Sequence, residues 1–183
     1  MPLSPNEATD ALRDISQTEQ RSAKAYGYSM MSPHLFLWGG IWLAEYTGFY
    51  FYPRDSWLFS VLSLVGIAGS FIIGKWMKGS RAAYTGWRYF ATIALAFLFV
   101  TALFAIYPPA TSNQMGAFFP LLVALLYALM GIWGNAPRMG VTGLMLGVIT
   151  LVGFFYFPAS FMLWMGIAGG GALMLGGLWM RRV

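Results

Sequence analysis

Six runs of apolar residues, each 18 to 22 residues long, take up most of this chain: 34–52, 57–77, 87–107, 115–134, 140–157 and 159–180. At about 1.5 Å of rise per residue, a helix of that length nearly crosses a hydrocarbon core of about 30 Å. The expected fold is therefore all-α: a polytopic membrane protein with six transmembrane helices in three hairpins, embedded in a lipid bilayer. Residues 1–33 precede it as a cytoplasmic helix and linker, and the connections are short, so no separate soluble domain is expected. With 58% of residues hydrophobic and 9% charged, the composition agrees with this class.

The N-terminal segment is polar and mixed in charge, unlike a signal or transit peptide. Ser4-Pro5-Asn6-Glu7 reads as a helix start, with Ser as N-cap, Pro in the first turn and Glu three residues past the cap. A helix is expected from Pro5 to Lys24, followed by a linker from Gly27 to Pro33. Ala8, Ala11, Leu12 and Ile15 form an apolar stripe too thin to bury in lipid alone. Such a helix would lie on the cytoplasmic face of the bundle or on a protein partner bound through residues 5–24.

Ten of the eleven Lys and Arg residues fall on one side of the six runs, leaving Arg54 beside Asp55 on the other. That bias places both termini in the cytoplasm. It also accounts for the net charge of +5 without nucleic acid, which is not an expected partner. Trp76, Trp87, Trp133 and Trp179 at the cytoplasmic ends and Trp57 at the outer end read as interfacial anchors.

Glu45 is the one carboxylate inside any apolar run. At 3.6 residues per turn it shares a face with His34, Trp38, Ile41, Gly48 and Tyr52, with Trp42 at the edge. A charge at mid-bilayer is costly, so Glu45 should face other helices or a wet cavity. Two readings are open for it. In one it relays a proton or cation, or balances a cationic ligand between Trp38, Trp42 and Tyr52; in the other it is a neutral carboxyl bonded to a Trp, Tyr or Thr. Lys75 lies too near its own helix end to reach it. His34, the one histidine, is either a pH-responsive group or an interfacial hydrogen-bonder.

Other chemistry is thinly represented. There is no Cys, which excludes disulfides, thiol catalysis and thiolate metal sites, and a single His excludes a multi-histidine metal site within one chain. No second acid stands near Glu45, no base stands beside a nucleophile, and no phosphate loop with its lysine occurs. Neither an enzyme activity nor a metal or cofactor is expected.

Gly48-Phe49-Tyr50-Phe51-Tyr52-Pro53 closes the first run and Gly153-Phe154-Phe155-Tyr156-Phe157-Pro158 the fifth, which suggests a repeated two-helix unit. Aromatic-Pro endings common to outer interfaces would give the same pattern. Gly40/Ala44/Gly48, Gly66/Ser70/Gly74, Gly143/Gly147 and Gly166/Gly170 place small residues four apart, a spacing that lets helices approach closely. Packing within the chain is the first expectation, and a homo-oligomer through the glycine-rich sixth helix the second. Pro120 suits a first turn better than an interior, so the fourth helix is expected to begin near Phe118.

The N-terminal helix running into SPHLFLWGGIWLAEY, and the ending FMLWMGIAGGGALMLGGLWMRR, resemble an uncharacterised group of small bacterial inner-membrane proteins with six spans and a cytoplasmic N-terminal helix. Genes of that group often neighbour small winged-helix regulators, which implies a stress or signal response. The resemblance implies no site residues. The expected function is a non-enzymatic inner-membrane protein, a sensory or accessory subunit acting through a partner. The alternative is a small-solute binding or transport subunit: six helices with both ends inside are similar to substrate-binding components of vitamin transporters, with Glu45, Trp38, Trp42 and Tyr52 as ligand contacts.

Overall fold

A computed structural model describes residues 5–53, 56–77 and 86–182. Ser4, Arg54, Asp55, Lys78 and Arg81, used above for the helix cap and the charge bias, lie outside the described residues, as do the side chains of Trp87 and Arg88. Within them the chain is all-helical: α1 (Pro5–Phe51), α2 (Ser56–Trp76), α3 (Gly86–Ile106), α4 (Ser112–Trp133), α5 (Pro137–Tyr156), α6 (Phe161–Trp164) and α7 (Gly170–Arg181). A 3-10 turn, Pro158–Ser160, leads into α6, and a π-helical turn, Met165–Gly169, joins α6 to α7. Four stretches are long and apolar enough to cross a membrane: Trp57–Trp76, Ser112–Trp133, Pro137–Tyr156 and Pro158–Arg181. The protein is thus a helical membrane protein. Its outward face is rich in exposed apolar side chains such as Leu64, Leu95, Leu144 and Leu175, as a lipid-facing surface requires.

The expected linker at Gly27–Pro33 does not form. α1 runs unbroken through both residues for 47 residues, about 70 Å of helix. Gly and Pro cost a helix interior about 1 and 3 kcal/mol, but here the segment is held from outside. Tyr28, Ser32 and Leu35 are all buried, and the Ser32 hydroxyl donates to the Gly177 carbonyl of α7 at 2.8 Å. Tertiary contact overrides local propensity.

The second half of α1 is the centre of the bundle. It runs antiparallel to α7, with Ser32 opposite Gly177, Gly39 opposite Gly170 and Thr47 opposite Gly166. Gly39 and Gly170 are required by this approach: a Cβ on Gly39 would stand 2.8 Å from the Gly170 carbonyl oxygen, and one on Gly170 2.7 Å from that of Gly39. Another face of α1 packs on α2, where Trp38 and Ile41 cover Gly66 and Leu37 covers Gly69. Of the glycines singled out by spacing, Gly166 and Gly170 are thus covered by α1, whereas Gly74 borders open space.

α4 and α5 form a close hairpin in which Gly131 meets Gly140 backbone to backbone and Gly143 meets Ala124 and Ala128. Asn135 closes the turn with φ of 47°, a left-handed conformation that Asn tolerates better than most residues. α4 begins at Ser112, not near Phe118. Thr111 accepts from the Gln114 N–H while the Gln114 side chain accepts from the Thr111 N–H, a complete capping box. That cap pulls the start six residues earlier and leaves Pro120 buried inside the helix. Pro120 has no N–H for the Gly116 carbonyl, and the Tyr46 hydroxyl of α1 fills the gap, donating to that oxygen at 2.6 Å. α3 meets α4 where Phe104 packs edge-on against Phe118 and Phe119.

The two matching hexapeptides end their helices alike. Tyr52 N–H donates to the Gly48 carbonyl and Phe157 N–H to the Gly153 carbonyl, and the proline that follows stops each helix. Each glycine also seats a side chain of the next helix, Leu58 on Gly48 and Trp164 on Gly153. The sequence match is therefore a geometric one.

Candidate functional site

Two polar constellations stand out in the apolar bundle. The first surrounds Glu45. Its place on α1 turns it toward α2, where the Ser63 hydroxyl donates to Oε1 at 2.7 Å, and the residue is only 3% exposed. Two turns along the same interface, Trp38 Nε1 donates to the Ser70 hydroxyl at 3.1 Å. Ser63, Gly66 and Ser70 are spaced three and four apart, so they make one small, polar stripe on α2 that receives Trp38, Ile41 and Glu45. This seam is a set of interhelical hydrogen bonds between close-packed helices.

The remaining residues of the Glu45 face separate. Trp42 is buried on another side of α1, edge-on to Tyr46 at 5.9 Å and near Gly169. His34 sits about three turns before Glu45, its Nδ1 3.0 Å from the Met30 carbonyl of its own helix. Tyr52 lies at the end of α1 and is 63% exposed. The structure brings together Glu45 and Trp38 with two serines, and it does not gather Trp42, Tyr52 and His34 around them. Lys75 is exposed. Two grooves open on the bundle surface, of about 390 Å³ between α5 and α7 and about 280 Å³ between α4 and α5, and Glu45 lines neither.

The second constellation lies where α1 leaves the bundle. Arg138, in the first turn of α5, places its guanidinium 5.6 Å from the Tyr28 ring and 5.5 Å from the Trp179 ring. Its Nη1 donates to the Trp179 carbonyl at 2.8 Å, and its backbone N–H donates to the Tyr28 hydroxyl at 3.3 Å. Arg181 stands 5.6 Å over Phe36 beside it. A guanidinium over aromatic faces is attracted by the ring quadrupoles even at a partly exposed site such as this one. One arginine thereby ties three elements, α1, α5 and α7, at a single level.

Beyond this clasp α1 stands alone: every residue from 9 to 23 is exposed. Leu12 and Ile15, the apolar stripe of the sequence reading, are 68% and 55% exposed, so the stripe covers no other described part of the chain. The sequence reading assigns Tyr28 to a linker and Arg138 to topology alone, and it passes over Ser63. A signal was available for Ser63, whose spacing to Gly66 and Ser70 matches a helix face. None was available for the clasp, which joins residues more than a hundred positions apart. Among the described residues no group of three His, Cys, Asp or Glu could hold a metal ion.

The chain matches no family model, no curated protein and no solved structure. Function must therefore be argued from the geometry.

Proposed function

We propose that the protein is a non-enzymatic integral membrane subunit, sensory or accessory in role, that acts through a protein partner bound along residues 5–24 of α1. The observation that carries this reading is the single rigid helix that is solvent-exposed over its first half and the centre of the bundle over its second. A helix continuous across that boundary transmits shifts of 1–2 Å or small rotations, the scale on which packed helices signal. A partner on the stalk and a change inside the bundle then act on the same element. Asp10, Asp14 and Glu19 are interspersed with Arg13, Arg21 and Lys24 on the stalk, around an uncovered Leu12 and Ile15. Such a surface suits a second helix bearing a narrow apolar stripe.

The same proposal places the chain in the bacterial inner membrane with six spans and both termini cytoplasmic. The basic bias supports it, as does the resemblance to the small six-span group described above. In this reading α1 is a fifth crossing, supported by its run beside α7 and the π-helical turn before it from Ser32 to Thr47, about 23 Å. α3, 21 residues long, supplies the sixth.

The test is affinity purification of the full chain, and of a chain lacking residues 5–24, from the native membrane in a mild detergent. A protein that co-purifies stoichiometrically with the full chain and is lost with the deletion supports the reading. A partner retained in full by the deleted chain overturns it. A small molecule retained with the bundle and released by Glu45→Gln would favour the solute-binding alternative.

A further inference from the structure

The groove between α5 and α7 ends at Trp179, beside two arginines. Thr142 and Met145 line it from α5, and Ile167, Gly171, Leu175 and Trp179 from the other side. Its lining is almost wholly apolar, and at Gly171 an added Cβ would meet nothing within 4 Å. From Ile167 to Trp179 the groove follows about 18 Å of helix, close to half of a hydrocarbon core of about 30 Å, or one leaflet. One end therefore lies near the bilayer midplane and the other at an interface, marked by Trp179.

That interfacial end is basic. Arg138 is fixed there by its bond to the Trp179 carbonyl, which uses one of five guanidinium donors. Arg182 caps the end of α7, its backbone N–H 3.4 Å from the Trp179 carbonyl, and is exposed. No acid of the chain is nearby in sequence. Four of the six lie in the first 19 residues, Glu45 is in the core of the bundle and Asp55 follows the opposite end of α1. Along α1, Glu19 is nine residues, about 14 Å of helix, from Tyr28 of the clasp.

We propose that this groove is a binding site for one anionic phospholipid, with an acyl chain lying along Gly171 and the headgroup phosphate held by Arg138 and Arg182. The apolar slot has the length of a leaflet, and among the described residues no carboxylate pairs with the arginines at its mouth. Phosphate is the anion that the bilayer presents at that level, and guanidinium groups pair with it bidentately. The lipid would then brace the clasp through which α1 leaves the bundle. The site stands independently of the partner proposed for the stalk.

Native mass spectrometry of the delipidated full chain, titrated with phosphatidylglycerol or phosphatidylcholine of identical acyl chains, tests this directly. One bound phosphatidylglycerol per chain is expected at roughly a tenth of the concentration needed for phosphatidylcholine, the preference one to two arginines supply at a membrane surface. Gly171→Leu places its Cβ in open space and extends into the slot, and should abolish the first adduct of both lipids. Met145→Trp narrows the slot from the opposite wall and should do the same if Gly171→Leu does not fold. Arg182→Gln should weaken phosphatidylglycerol more than phosphatidylcholine and bring the two lipids to within about threefold of each other. Equal binding of the two lipids by the unaltered chain overturns the proposal, as does an adduct that survives both slot-filling variants. A dimer that forms without lipid and is lost in Gly171→Leu would make the groove an interface between copies, and would also overturn it.

Discussion

At the scale of single residues, the most consequential bond joins two positions that a sequence reading treats separately. Pro120 leaves the Gly116 carbonyl without its helical donor, and Tyr46 supplies one from another helix. Tyr46→Phe strands that carbonyl in an apolar interior and should destabilise the protein by about 1–2 kcal/mol. In a Pro120→Ala background the helix provides its own N–H, so the same change should cost little. A double-mutant cycle of unfolding in detergent reads the difference, and equal costs in both backgrounds would remove the compensation argument. The glycines of the last helix offer a second contrast. Gly170→Ala drives a methyl to within 3 Å of the α1 backbone and should destabilise by about 1–3 kcal/mol, whereas Gly171→Ala enters open space and should stabilise by up to about 1 kcal/mol. Spacing alone ranks neither above the other, because Gly169, Gly170 and Gly171 are consecutive and only the partner helix tells them apart. Glu45 shows the same limit. The sequence marks it as buried and turned to another helix, and it is, but its partner is a serine on α2 and not the Trp, Tyr or Thr expected.

At the scale of elements, helix positions were legible wherever apolar length set them, and α2, α5 and the last apolar stretch, Pro158–Arg181, begin and end within a few residues of their runs. Local breakers misled. Gly27, Pro33 and Pro120 each have a real local cost, and in each case docking or a cap outside the local window offsets it. The continuity of α1 is directly measurable, because the chain has no cysteine and labels can be placed without background. Spin labels at positions 12 and 44, on either side of the expected linker, should lie about 48 Å apart along the helix axis in a single narrow distribution. A broad distribution centred at shorter distances would restore the linker. Loosening the clasp should act on the same element: Arg138→Gln removes the cation from both aromatic rings and its bond to Trp179. That distribution should remain narrow, while the distance from position 12 to a label on α5 broadens. The stalk stays helical but loses its fixed angle to the bundle.

At the scale of the whole molecule, the number of crossings decides which surfaces a partner can reach. Four stretches qualify by apolar length, and α1 falls short because its second half carries His34, Glu45, Tyr46 and two tryptophans. Its packing argues for crossing nonetheless. Ser32 and Gly177 stand at one level, Thr47 and Gly166 at another, so both helices traverse the same slab from opposite directions. Asn113, at the start of α4, donates to the Pro158 carbonyl at 2.7 Å, which brings the start of α4 to the end of α5 that lies opposite the clasp. If α1 and α3 both cross, residues 12, 135 and 182 share one side and residues 53, 110 and 158 the other. Single cysteines at these positions, probed in intact cells with a membrane-impermeant maleimide, should label only at 53, 110 and 158. The proposed orientation puts 12 and 182 on the cytoplasmic side, where the basic surplus would lie. Labelling at position 12 from outside with 182 protected would mean that one crossing is missing. The stalk would then face away from the cytoplasm, and the partner sought for it would have to be looked for on the other side of the membrane.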